Sequence, residues 1–220
     1  MTLTATNGSA SSKARVEMND SASEAYDGGD DLTALFDSNL GNVPTVFTIA
    51  EGGQALSIDA RPTMDIVPFG VACAASDELV DVSVDASHLS LLTSHLSPLT
   101  SHLYLLDAVT GDVTEVGEGG TFTVQPNDYG RYFLTTRGDL TAIGETKATE
   151  SIVVSVRGKA VTVRSAQVLK SVRVLKTGGA VVGSVADGSK EATVHVNVGG
   201  VYLVEAQTAD SKKSVKVVVK

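Results

Sequence analysis

Apolar and polar residues alternate one by one through Val80-Asp81-Val82-Ser83-Val84-Asp85. A period of two places every second side chain on one face, so this stretch predicts a strand with one buried face. The same reading predicts strands at residues 2–6, 14–18, 45–49, 55–59 and 64–74, the last bent at Pro68, then at 80–85, 103–107, 113–116, 121–124 and 131–136. Further strands are expected at 151–156, 160–164, 172–175, 180–185, 192–198, 201–206 and 214–220. Between them lie glycine- and polar-rich breaks such as Asn7-Gly8-Ser9, Thr110-Gly111-Asp112, Arg157-Gly158-Lys159, Thr177-Gly178-Gly179 and Ala209-Asp210-Ser211. One helical turn is expected at 31–36, with Asp30 or Asp31 as its N-cap. The polar stretch 138–150 has no period and divides the chain. The prediction is an all-β protein of two β-sandwich modules: a jelly-roll-like module over 1–140 and a small Ig-like sandwich of about seven strands over 145–220.

Composition agrees with strands and tight turns. The chain has 220 residues, 42% hydrophobic and only 5% aromatic, with 21 glycines and no tryptophan. A net charge of −9 argues against nucleic acid, which requires clustered cations. The charge is uneven: residues 151–220 carry eleven Lys and Arg against four Asp and Glu, so the second module is basic and the first acidic. The single cysteine, Cys73, forms no intrachain disulfide and lies in the run Val71-Ala72-Cys73-Ala74-Ala75, as a buried inert thiol would. No apolar run approaches the 18 residues of a membrane span, and Met1-Thr2-Leu3-Thr4-Ala5-Thr6 lacks the basic start and apolar stretch of a signal peptide.

Candidate chemistry is sparse. Asp20, Glu24, Asp27, Asp30 and Asp31 surround Gly28-Gly29, the kind of oxygen-rich loop that calcium uses, but their spacing is not that of an EF-hand loop. The alternative is an ordinary solvated acidic loop, and no metal is assigned. There is no Gly-x-Ser-x-Gly elbow, and His195 between Val194 and Val196 reads as a strand-face residue. Gly117-Glu118-Gly119-Gly120 and Gly178-Gly179 read as hairpin turns, since neither precedes a helix as a phosphate loop does. The expectation is a protein that is not an enzyme, with no catalytic residue and no cofactor.

A heptad repeat stands apart. Ser87-His88-Leu89-Ser90-Leu91-Leu92-Thr93 is followed directly by Ser94-His95-Leu96-Ser97-Pro98-Leu99-Thr100 and Ser101-His102-Leu103-Tyr104-Leu105-Leu106-Asp107. The leucine spacing fits a helical seam, against which stand Pro98 and the poor helix formers Ser and Thr. Histidines seven apart sit roughly 10 Å from one another on a helix, too far to share one zinc ion. Excising 87–100 leaves an ordinary strand–turn–strand, so tandem duplication in a tolerant loop is the preferred reading.

The segment Gly199-Gly200-Val201-Tyr202-Leu203-Val204, followed by Lys212-Lys213-Ser214-Val215-Lys216-Val217-Val218-Val219-Lys220, resembles the C-terminal sorting domain of proteins exported by the bacterial type IX secretion system. Upstream, Pro44-Thr45-Val46-Phe47-Thr48-Ile49-Ala50, Gly53-Gln54-Ala55-Leu56-Ser57-Ile58 and Asp65-Ile66-Val67-Pro68-Phe69-Gly70-Val71 resemble the β-sandwich that often precedes that domain. So do Leu103-Tyr104-Leu105-Leu106-Asp107-Ala108-Val109-Thr110-Gly111 and Asn127-Asp128-Tyr129-Gly130-Arg131-Tyr132-Phe133-Leu134. In the family's strand–turn pair, Leu175 and Lys176 stand here where an aromatic and an acidic residue are usual, and Ala180 where a basic one is. The resemblance implies export and cell-surface attachment, with the outer-membrane secretion machinery as partner. It also implies Gly200, Val201, Tyr202, Leu203, Lys213 and Val217 as sorting-signal residues.

A sorting domain without a signal peptide is expected to be the downstream part of a longer secreted protein. Protection of an edge strand from aggregation also accounts for Lys212, Lys213, Lys216 and Lys220. The alternative function is a carbohydrate- or protein-binding, adhesin-like module. It requires exposed aromatics on one sheet face, for which Tyr104, Tyr129, Tyr132 and Phe133 are the candidates. A truncated gene product is the third reading.

Overall fold

The computed structural model describes residues 1–8, 10–36, 41–74, 78–87, 102–117, 119–136, 152–186, 188–209 and 211–219. Among these there are eighteen strands and no helix. The heptad repeat from 88 to 101 and the divide from 138 to 150 lie outside the described residues.

Eleven strands join one mixed sheet: β1 (Thr2–Asn7), β2 (Ala10–Met18), β3 (Leu32–Thr33), β4 (Thr45–Ile49), β5 (Ala55–Arg61), β6 (Val67–Ala72), β7 (Val80–Asp85), β8 (Tyr104–Asp107), β9 (Val113–Glu115), β10 (Thr121–Val124) and β11 (Tyr132–Thr135). Their order is β10-β7-β1-β2-β5-β4-β6-β11-β8-β9, with β3 paired to β5 off this path. Where the sequence reading expects the two separate sheets of a jelly roll, the strands form one continuous sheet. Only β2 and β5 run parallel.

That sheet is strongly curled. β9 and β10 stand at opposite ends of the strand order, yet only residues 116–120 separate them along the chain. Such a link spans at most about 20 Å, so the two ends lie near each other. Gly119 N and Gly120 O complete the link by bonding Val84 O and Val84 N. The glycines between β9 and β10 suggest a hairpin, but these two strands do not pair and stand at opposite ends of the order. Phe69 of β6 meets Phe122 of β10 at 5.9 Å between ring centroids, across the inside of the curl. One cluster fills it, including Leu3, Val16, Val46, Phe69, Val82, Leu105 and Leu134.

The remaining seven strands match the number expected. β12 (Ile152–Arg157), β13 (Ala160–Ser165) and β16 (Glu191–His195) form a three-stranded sheet. β14 (Ser171–Lys176), β15 (Val181–Val185), β17 (Gly200–Gln207) and β18 (Lys212–Val219) form a four-stranded sheet in the order β15-β14-β17-β18. Val154, Val161, Val163 and Val194 of the first share one buried cluster with Val172, Val174, Val204, Val215 and Val217 of the second.

Two local expectations change. Residues 31–36 form no helical turn. Leu32 and Thr33 pair with β5 as β3, and the Asp31 carboxylate accepts from Asp27 N at 2.7 Å and Ala60 N at 2.8 Å instead of capping a helix. Strand β6 continues without a break through Pro68, which lies one residue past the last β4 pair, Thr48↔Phe69, where the missing N–H is tolerated.

Candidate functional site

Strands β17 and β18 pair over all eight residues, from Gly200↔Val219 to Gln207↔Lys212. Alternation divides their side chains cleanly. Tyr202 and Val217 stand opposite each other and are buried, the Tyr202 hydroxyl donating to Val198 O at 2.5 Å. Val201 and Leu203 lie on the outer face, 39% and 36% exposed, with Val218 and Val181 also exposed there. Arg173 of β14 and Glu205 of β17 pair on the same face. Gly200 opens β17 and is exposed.

Lys213 faces a different environment. It is half-buried against the turn Gly52-Gly53-Gln54 of the first unit. A Cβ added to Gly53 would lie 2.3 Å from Lys213 Nζ and 2.9 Å from Ile152 O, and the residue's φ of +90° already favours glycine. Gly53 O accepts from Val154 N at 2.9 Å, and Gln54 Nε2 donates to Lys216 O at 2.6 Å. The six residues implied as a sorting signal therefore form no single patch. Two are core, three lie on the outer face or at its margin, and one is held at the junction with the first unit.

The junction is extensive and was not anticipated. Val153 of β12 completes a buried cluster with Ala34, Phe47, Ile49, Ala55, Ala72 and Tyr129, covering the outward face of β4 to β6. The Arg164 guanidinium lies 4.4 Å from the Phe36 ring centroid and bonds Glu191 at 2.9 Å. Burial pushes the Tyr129 hydroxyl up to about 12, against the opposing pull of the Arg164 cation. A sequence signal for this contact is the unbroken apolar run of 66–74 around β6, the mark of a strand covered on both faces.

The other candidates take plain structural roles. Tyr129, Tyr132 and Phe133 are buried, so they form no exposed aromatic platform, while Tyr104 is half-buried and stacks with His102. In the acidic loop Asp27 accepts from Gly29 N and Asp30 from Asn19 Nδ2, and no group of three candidate metal ligands occurs among the described residues. Burial raises the Asp31 carboxyl above the usual range, with Asp59 and Asp27 adding to it. Cys73 is free and buried, and His195 is exposed on β16. No described helix is long and apolar enough to cross a membrane.

No family model and no curated protein matches the chain. Among solved structures, PorZ is described as an essential bacterial surface component of the type IX secretion system of Porphyromonas gingivalis. It aligns over 72% of this chain at 13% identity, with a TM-score of 0.29. The chain spans 30% of that protein's length.

Proposed function

We propose that the chain is the non-catalytic C-terminal portion of a secreted or cell-surface bacterial protein, carrying a type IX sorting and anchoring signal in its second unit. On this reading the second unit is an Ig-like sandwich beside the curled sheet of the first, and the outer-membrane secretion machinery reads the β17–β18 hairpin. The observation that carries the reading is that hairpin: the two segments that resemble the sorting domain pair with each other without a break, inside a seven-strand unit with its own valine core. Their outer face combines exposed Val201, Leu203 and Val218 with Lys212 and Lys216, a surface open to a protein partner.

The test places the whole chain downstream of an export-directed fluorescent protein in a host with type IX machinery. Surface fluorescence is expected, and removal of 212–219 is expected to leave the reporter in the periplasm. A reporter displayed equally well without 212–219 would defeat the proposal.

A further inference from the structure

Strand β18 is an edge strand, and open edges invite pairing with other chains. An antiparallel strand turns the N–H and C=O of each residue to the same side and alternates sides along its length. Because Lys216 O bonds Gln54 and not β17, Lys216 faces outward, and so by alternation do Ser214 and Val218. The outward edge is therefore the side on which the first unit sits. β12 is likewise the edge of its own sheet, and the Gly52-Gly53-Gln54 turn is fitted between these two edges, bonded to Val154 on one and Lys216 on the other.

The fit is close at one point and loose beside it. Gly53 has no room for a side chain. Next to it a cleft of about 170 Å³ runs between β3 and the end of β18, lined by Tyr26, Leu32, Val156 and Val218 among others. Gln54 Oε1 is buried with no hydrogen-bond partner among the described residues, a cost carried by the closed arrangement. The turn itself reaches the two edges through two hydrogen bonds, Val154 N to Gly53 O and Gln54 Nε2 to Lys216 O, and is penalised by one orphaned acceptor.

We propose that the outward edge of β18 is a docking site for an extended strand of a protein partner, and that the Gly52-Gly53-Gln54 turn is a latch that closes it. The partner adds a strand by main-chain bonds to Ser214, Lys216 and Val218. Acidic side chains suit it, since Lys212 and Lys216 are exposed along that strand. The biological meaning of the latch rests on the sorting reading, because it hides the address strand until the first unit is displaced. The latch itself does not depend on export.

The experiment uses the full chain with Gln54→Ala, which removes the amide that donates to Lys216 O together with its orphaned oxygen, and Gly53→Val, which cannot seat the turn. The probe is an eight-residue peptide of alternating valine and glutamate, followed by fluorescence anisotropy. Hydrogen exchange of 212–219 is read alongside, with β4 and β6 as the control for intact folding. The expected result is at least tenfold tighter peptide binding and tenfold faster exchange of 212–219 in both variants, with the control unchanged. If Gly53→Val unfolds, Gln54→Ala alone decides. Equal affinity for wild type and Gln54→Ala overturns the latch, and no binding to either overturns the docking site. A chain that shows the latch but exports without 212–219 would keep this inference and remove the sorting reading.

Discussion

The two units bury similar kinds of residue and yet differ in how many faces they cover. In the second, β17 and β18 carry strict alternation: Tyr202, Val204, Val215 and Val217 enter the core while Val201, Leu203, Lys216 and Val218 meet solvent. In the first, every residue of β6 is buried, as are all but one of β4, because one face lines the curl and the other lies against Val153 and its neighbours. A strand with two covered faces must satisfy polar groups internally, and the first unit does so with charge. Arg61 and Asp59 pair at 2.7 Å with both side chains 2% exposed, and Arg61 also donates to Ile49 O and Ile66 O. In the second unit valines dominate the buried cluster, and the buried guanidinium of Arg164, paired with Glu191 at 2.9 Å, lies toward the first unit beside Phe36. One-faced sheets are built from pattern alone, whereas two-faced sheets depend on specific polar pins.

The largest expected break in that comparison comes from Arg61→Leu. It leaves the Asp59 carboxylate buried without a counter-charge and frees two carbonyls, at a cost of about 3–5 kcal/mol. Val204→Ala in the second unit removes only packing and is expected to cost about 2 kcal/mol. Urea denaturation of both variants tests the contrast, and equal losses would show that the polar pin adds nothing beyond burial.

A pin nearer the surface sharpens the point. Arg131 reaches the Asp107 carboxylate with three bonds of 2.7–3.0 Å and Asp128 with one of 3.2 Å, joining β11 to the end of β8. Burial acts to raise Asp107, but the guanidinium and the N–H groups of Val109 and Thr110 outweigh it and hold the carboxyl below its usual range. A carboxyl depressed in the folded state stabilises the protein above its unfolded value, near 3.9, and that contribution is lost as pH falls through the folded value. Arg131→Ala is therefore expected to cost about 2 kcal/mol at pH 7. The gap from wild type should narrow below about pH 4, and thermal melts between pH 3 and 7 read it. A gap independent of pH would assign the loss to packing over Tyr132, which the guanidinium covers at 5.0 Å.

Legibility in the sequence follows the same division. Period-two alternation places β7, β17 and β18 nearly to the residue, because a face open to water forces polar residues into every second position. It carries no information on which strands pair, so the distant places of β9 and β10 and the single curled sheet are absent from it. At 31–36 the spacing of Leu32, Leu35 and Phe36 imitates a helix, and the distant ties to β5, from Asp31 to Ala60 N and from Ala34 N to Ala55 O, settle the extended form. For the candidate site, Tyr202 and Val217 are readable as core partners. The contacts of Lys213 and Lys216 are not, because the Gly52-Gly53-Gln54 turn lies some 160 residues upstream and looks like any other turn. Two successive glycines before a glutamine, between two strands covered on both faces, was the one available hint.

The smallest expected effect bears on the open face. Leu203 is 36% exposed and stands between Leu175 and Lys216 in the cross-strand row, with Val181 beyond Leu175. Threonine keeps the strand preference and removes apolar surface that the core never uses. Leu203→Thr should thus change unfolding stability by less than about 0.5 kcal/mol, as exposed substitutions do. If the face meets a partner, surface display of the reporter should fall several-fold while the urea midpoint stays put. A matched loss of stability and display would instead make Leu203 a structural residue, and the second unit would then depend on its outer face as the first depends on both of its own.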